Sequence, residues 1–362
     1  MDSSSQEREG KKKIIEIKTF AVPFALGEKQ ENLTIKTNTP SKPSKEQIIN
    51  QAIQFHLKGN IQEAAKYYQL FVEQGFKDHI VFSNYGVVLK NLAQTQDAEL
   101  SYRKAIEIKP DYADAHYNLG NLLKELGKLQ DAELSYRKAI EIKPDYADAH
   151  YNLGIILNDL GKSQEAELSY RKAIKIKPDY AEAHYNLGII LNDLGKSDQA
   201  ELSYRRAIEI KSDYADAHYN LGNLLNDLGK SQEAELSYRK AIKIKPDYAE
   251  AHYNLGIILN DLGKSDQAEL SYRRAIEIKS DYADAHLNLG NILRDLGELQ
   301  DAELSTRKAI EIKPDNTDAH LNLGNILRDL GKLKDARLCS EKIMSLRSWS
   351  LAGSYSFNYE MI

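Results

Sequence analysis

The sequence predicts an all-α protein, a linear stack of helix-turn-helix repeats, on three observations. From position 79 onward the chain matches itself at a shift of 34 residues. Within each 34-residue stretch apolar residues recur at helical spacing, and from 113 onward a glycine divides them into two runs. Proline falls at one place in the stretch, at Pro110, Pro144, Pro178, Pro246 and Pro314. A fixed period of this length marks a structure in which each unit buries its apolar face only against its neighbours.

The repeats run 79–112, 113–146, 147–180, 181–214, 215–248, 249–282, 283–316 and 317–350. A divergent repeat at 45–78 keeps Asn50, Ala52, Gly59, Ala64 and Tyr68 in register, which makes nine. Repeats 181–214 and 249–282 are identical, and the pair 147–214 matches 215–282 at 66 of 68 positions, the pattern of a tandem duplication. Residues 1–44 are polar and rich in Lys, Thr, Ser and Pro, and are expected to form a flexible arm. The repeat 317–350 is degenerate, with Ser340 and Ser348 at its Tyr and Pro positions; the tail 351–362 is read as a cap or as the relic of a longer reading frame.

Repeat 113–146 shows how each element arises. Ala115, His116, Leu119, Gly120, Leu122, Leu123 and Leu126 form one broad face of a first helix. Gly127 follows, where a left-handed residue ends a helix at least cost. A second helix presents Ala132, Tyr136, Ala139 and Ile140, and Pro144 stops it. Asp145 is placed to cap the next first helix, with Asp148 near its positive end. The small residues Gly120, Ala132 and Ala139, at repeat positions 8, 20 and 27, allow close helix approach, and Tyr136 at position 24 fills the space between.

These residues resemble the tetratricopeptide repeat (TPR): small at 8, 20 and 27, large at 24, Pro at 32. The resemblance covers roughly 45–350. It implies a right-handed superhelical solenoid with the first helices lining its concave side. His at position 4 departs from the family's usual residue, and Ser212 and Ser280 stand in for the proline.

Composition excludes several functions. A net charge of -5 gives no basic stripe for nucleic acid. The single Cys339 rules out an intramolecular disulfide framework and suits a reducing cytoplasm. No apolar stretch approaches the ~20 residues that span a bilayer, so a cytoplasmic chain without membrane contact is expected. The histidines His116, His150, His184, His218, His252, His286 and His320 recur once per repeat, at a separation of about 8–10 Å that no single metal ion bridges. They are read as packing residues. Catalysis needs an asymmetric cluster in one pocket, whereas here every Ser, His and carboxylate is one of several equivalents. Neither enzyme activity nor a cofactor or metal is expected.

Tyr102, Tyr136, Tyr170, Tyr204, Tyr238 and Tyr272 at position 24 are expected in the core. Tyr112, Tyr146 and Tyr180 at position 34 are expected in the inter-repeat turn. Tyr117, Tyr151, Tyr185, Tyr219 and Tyr253, at position 5, border the inner face and are candidate ligand contacts. Asparagine occupies position 6 of every repeat: Asn50, Asn84, Asn118, Asn152, Asn186, Asn220, Asn254, Asn288 and Asn322. On a helical wheel positions 2, 6, 9 and 13 lie within about 60° of one another, opposite the apolar face. A solvated row of carboxamides, each donor and acceptor, is therefore expected along the first helices, able to pair with the backbone of an extended peptide. It resembles the asparagine ladder of O-linked N-acetylglucosamine transferases, in which such a row holds substrate backbones. Position 2 is acidic (Asp114, Asp148, Glu182, Asp216, Glu250, Asp284, Asp318), as is position 13 (Glu125, Asp159, Asp193), with Lys124, Arg294 and Arg328 as exceptions. Arg137, Lys138 and Lys143 on the second helix are read as a solvated outer face.

The sequence therefore points to a non-catalytic scaffold that binds extended, neutral-to-basic polypeptide in an acidic, asparagine-lined groove. Two alternatives stand beside it. One is a bacterial-type substrate-recruitment module of a glycosyl-, sulfo- or methyltransferase whose catalytic domain is absent or supplied in trans. The other is self-association by end-to-end stacking.

Overall fold

The structure, a computed structural model, describes residues 42–356, with side chains to Leu346. Most of the N-terminal arm and the last residues of the tail lie outside this range. Among the described residues every regular element is a helix, eighteen in all, two per repeat. The chain divides into two compact halves, to Pro178 and from Asp179. Each is a series of helix pairs in which every helix packs on its partner and on the next pair.

Repeat boundaries fall where the sequence places them. In 113–146 the first helix, α5, spans Ala113–Glu125 and the second, α6, Leu129–Ile142. Gly127 between them has φ +71°, the left-handed conformation expected of a helix-ending glycine. The second helix ends the same way with or without proline. Lys143 before Pro144 has φ -129° and Lys211 before Ser212 also has φ -129°, so proline reinforces a stop set by packing. Asp145 does not cap α7 (Ala147–Asp159). The N-cap residue is Tyr146, which makes no side-chain cap bond.

The contact that fixes each pair is glycine against tyrosine. A Cβ on Gly222 would lie 2.7 Å from Cε1 of Tyr238, and one on Gly154 would lie 2.6 Å from Cε1 of Tyr170. The position-24 tyrosines are fully or almost fully buried, as expected. In repeat 283–316 Thr306 takes this place and bonds back to the Ala302 carbonyl; in 317–350 Ser340 is exposed and only Cys339 approaches Gly324. The last helix, α18 (Leu333–Ser356), runs through Ser348 without a break. Without the tyrosine wedge this pair is held less firmly. Amide exchange is therefore expected to be faster in 333–346 than in the equivalent 265–278, and equal protection would show that the wedge is dispensable.

The basic second-helix residues are not an idle solvated face. At position 21 a half-buried glutamate joins its own helix to the next repeat: Glu133 accepts from Arg137 and from Lys162, Glu201 from Arg205 and Lys230, Glu235 from Arg239 and Lys264. The Lys230 hydrogen bond holds the Glu201 carboxyl below the usual carboxylate range. At position 16 of repeat 283–316 the sequence reverses the sign, with Glu298 where others carry Lys.

Candidate functional site

Three position-6 residues contradict the expectation of a solvated row: Asn84, Asn118 and Asn152 are buried, Asn118 to 6%. Asn186, Asn220, Asn254, Asn288 and Asn322 are half-buried, and Asn50, on the first helix, is exposed. The reason is that a wheel drawn for one helix omits its neighbours. The face opposite the second helix is covered from both sides by the first helices of adjacent repeats, as α5 is by α3 (His79–Asn91) and α7.

Their carboxamides are engaged across the repeat interface. Asn152 Nδ2 donates to Tyr117 Oη at 3.0 Å, Asn220 to Tyr185 at 2.9 Å, Asn254 to Tyr219 at 3.2 Å and Asn288 to Tyr253 at 3.3 Å. Asn118 reaches Ser83 instead. Position 9, not singled out by the sequence analysis, completes the bridge in some repeats. Asn121 Oδ1 accepts from Tyr136 Oη and from Asn152, and Asn223 Oδ1 accepts from Tyr238 and from Asn254. The alternation of Asn and Ile at position 9 was the available signal. With the amide donors so used, no protein donor reaches Oδ1 of Asn220, Asn254 or Asn288 among the described residues. Each of these repeats thus keeps one clamped acceptor.

The position-5 tyrosines are similarly engaged within the array. Tyr117 is buried; Tyr151, Tyr185, Tyr219 and Tyr253 are half-buried. Tyr117 packs on Tyr146 with ring centroids 4.8 Å apart and the planes tilted by 33°, as Tyr219 does on Tyr248 and Tyr253 on Tyr282, with a lysine over the outer ring (Lys143 Nζ 4.6 Å from the Tyr146 centroid). Burial pushes the Tyr117 and Tyr185 phenols up to about 12, so they stay neutral partners for the asparagines. The position-2 acids face this aromatic cluster. Asp114 accepts from Tyr146 at 2.9 Å, Glu182 and Glu250 lie 3.6 Å from Lys211 and Lys279, and Asp284 meets Lys313 at 3.0 Å; Asp148 and Asp216 are half-buried, Asp318 exposed. Much of their charge is therefore offset. The acids left over are at position 13: Asp193, Asp227, Asp261 and Asp295 are exposed and make no ion pair among the described residues. Position 13 lies two helical turns beyond position 6, on nearly the same side.

Each position-4 histidine whose bond is resolved donates Nε2 to the carbonyl at position 32 of the preceding repeat, whether the residue there is Pro or Ser: His150 to Pro144 at 3.0 Å, His252 to Pro246 at 3.1 Å, His286 to Ser280 at 3.1 Å. A carbonyl only accepts, so the proton sits on Nε2. Burial lowers the values of His150, His218, His252 and His286. An imidazole protonated less readily when folded stabilises the fold above its unfolded value near 6.5. That contribution is lost as pH falls through the folded value. Thermal melts are expected to show a lower Tm at about pH 5.5 than at about pH 7.5, with the dependence flattened by His→Gln at these four positions; a Tm unchanged across this window would contradict the assignment.

Among the described residues no group of three or more His, Cys, Asp or Glu could hold a metal, and no helix is long and apolar enough to cross a membrane.

A family model described as TPR repeat matches residues 94–127, 120–161, 156–195, 188–229, 222–263 and 258–297; two further models, both described as tetratricopeptide repeat, match 283–316 and 306–337. The chain belongs to the tetratricopeptide-repeat family. Among solved structures it is similar to a tetratricopeptide repeat protein from Parabacteroides merdae, at 18% identity over 69% of this chain and 98% of that one, TM-score 0.50. It is also similar to YrrB, described as a TPR protein with an unusual peptide-binding site, at 27% identity over 51% of this chain and 95% of that one, TM-score 0.46. A third is MamA, at 28% identity over 46% and 97%, TM-score 0.44. No curated protein matches the chain. Among the described residues the tetratricopeptide array carries an interior Asn/Ser/Tyr hydrogen-bond ladder.

Proposed function

We propose that this tetratricopeptide array binds an extended, neutral-to-basic polypeptide along the first helices of its C-terminal half. The observation that carries the reading is the row of clamped acceptors at Asn220, Asn254 and Asn288, flanked by the unpaired Asp193, Asp227, Asp261 and Asp295. A carboxamide oxygen fixed by its own amide bond accepts one backbone N–H at little entropic cost. The carboxylates favour lysine or arginine side chains without dictating sequence. Spacing narrows the ligand further. Adjacent helices lie about 8–10 Å apart, and a polyproline-II strand returns to the same face every ~9.3 Å with its N–H groups unpaired. One asparagine per three ligand residues is the fit. The buried free Cys339 suits a reducing compartment such as the cytoplasm.

The test is fluorescence anisotropy with labelled peptides of about 20 residues, built from Ala, Gly, Ser and Thr with interspersed Lys, Gln or Glu. Affinity is expected to fall in that order, and the advantage of the Lys peptide to shrink with added salt. An acidic peptide that binds as tightly as the basic one overturns the reading.

A further inference from the structure

The side opposite the asparagines carries an unexplained feature. At position 22 the second helix exposes a leucine: Leu202 71%, Leu236 61%, Leu270 69%, Leu304 67% and Leu338 61% in the C-terminal half. In the N-terminal half Leu100, Leu134 and Leu168 are exposed to a similar degree. The adjacent Glu at position 21 is half-buried in its ion pairs, so the two residues sit in the reverse of the order that hydrophobicity alone would choose. Such a regular set of exposed large apolar side chains on one side of a chain is the mark of an interaction surface.

Beside Leu236, Leu270, Leu304 and Leu338 lie grooves between consecutive second helices. The one below Leu304 has a volume of about 440 Å³ and a floor of His286, Leu289 and Leu293. One wall, on α14 (Ser265–Ile278), carries Arg273 and Glu277; the other, on α16 (Leu299–Ile312), carries Asp301 and Lys308. Equivalent grooves recur below Leu236, Leu270 and Leu338. The face is thus an alternation of apolar ridges and apolar grooves, the walls holding both signs of charge below Leu236, Leu304 and Leu338 and basic residues alone below Leu270.

We infer that this face packs against the same face of a second copy of the chain, related by a two-fold axis, with the position-22 leucines of each copy seated in the grooves of the other. Three observations select that occupant. The ridges recur once per repeat, and a second array has the same period and so meets every groove in register. The grooves below Leu236, Leu304 and Leu338 carry Arg and Lys together with acids, and the one below Leu270 carries only Arg and Lys. A two-fold rotation can therefore set the acidic walls of one copy against basic walls of the other, whereas a partner of one charge sign meets a like charge in the three mixed grooves. The area also suffices. At roughly 100 Å² of apolar surface per exposed leucine, five give roughly 500 Å². A stable interface takes about 800 Å² from each partner, a little more than half of it apolar.

Sedimentation velocity on the full chain tests this. The wild type is expected to shift from monomer to dimer mass with concentration in the range up to about 0.2 mM. Leu202→Glu, Leu236→Glu, Leu270→Glu and Leu304→Glu together should remain monomeric throughout, with unchanged helical circular dichroism. A wild type that stays monomeric over the whole range overturns the inference, and so does a folded variant that dimerises like the wild type. Should the glutamate set fail to fold, the same four positions changed to Gln give the same reading, since each side chain is mostly solvent-exposed.

Discussion

Tyr238→Ala is expected to be among the most destabilising single substitutions in the chain, at about 3–5 kcal/mol, the usual cost of truncating a buried aromatic side chain. The ring is fully buried against Gly222, and its hydroxyl donates to Asn223 at 2.8 Å, which in turn accepts from Asn254 of the next repeat. Its loss therefore opens a cavity within one helix pair and unties the bridge to its neighbour. Gly222→Ala attacks the same contact from the other side. A methyl there lies 2.7 Å from the ring, which must move, at a cost of about 1–3 kcal/mol. The double-mutant cycle is the sharper measurement. Gly222→Ala should cost much less in a Tyr238→Ala background, because the atom it strikes is gone. Urea denaturation giving additive effects would mean that the tyrosine does not set the approach of the two helices.

The second large effect concerns the asparagines. Asn220, Asn254 and Asn288 changed together to Ala should weaken binding of the basic peptide by roughly one to three decades, at about 0.5–1.5 kcal/mol per backbone hydrogen bond. Stability should also fall, because each Nδ2 bond to a tyrosine of the preceding repeat is lost, although alanine's helix propensity returns roughly 0.5 kcal/mol per site. The two consequences separate with Tyr185→Phe, Tyr219→Phe and Tyr253→Phe, which remove the phenol partners but leave the carboxamides in place. This variant should lose stability and only part of its affinity, because the carboxamides remain as acceptors although Asn220 and Asn288 are no longer clamped. If it loses affinity as fully as the alanine variant, the asparagines act only by holding repeats together.

Much of this architecture was legible because the repeat is a local code. Gly127 and Pro144 punctuate the helices, and Gly120 with Tyr136 identifies the contact between them, each within one stretch of 34 residues. The sequence was misleading where a side chain's environment comes from a neighbouring repeat. Asn118 and Asn152 lie on the polar side of an isolated wheel and are buried by adjacent first helices. The acids at position 2 read as a charged groove, yet Asp284 is tied to Lys313 and Asp114 to Tyr146. Asp145 has the chemistry of a cap, but Tyr146 takes the cap position and packs against Tyr117. Thr306 in the tyrosine position and the outward-facing leucines were visible as letters. Their meaning depended on knowing which side of each second helix is covered.

The central claim is that clamped asparagine oxygens receive the backbone N–H groups of a bound polypeptide, and backbone N-methylation tests it most directly. Two copies of the Lys-containing peptide, one unmodified and one N-methylated at alternate residues, carry the same side chains and charge, but the second lacks the donors. Titrated against the intact chain, the methylated peptide is expected to bind about threefold to thirtyfold more weakly, the loss of one or two neutral hydrogen bonds. The difference should vanish in the Asn220→Ala, Asn254→Ala, Asn288→Ala variant. Equal affinity of the two peptides for the wild-type chain would contradict the account.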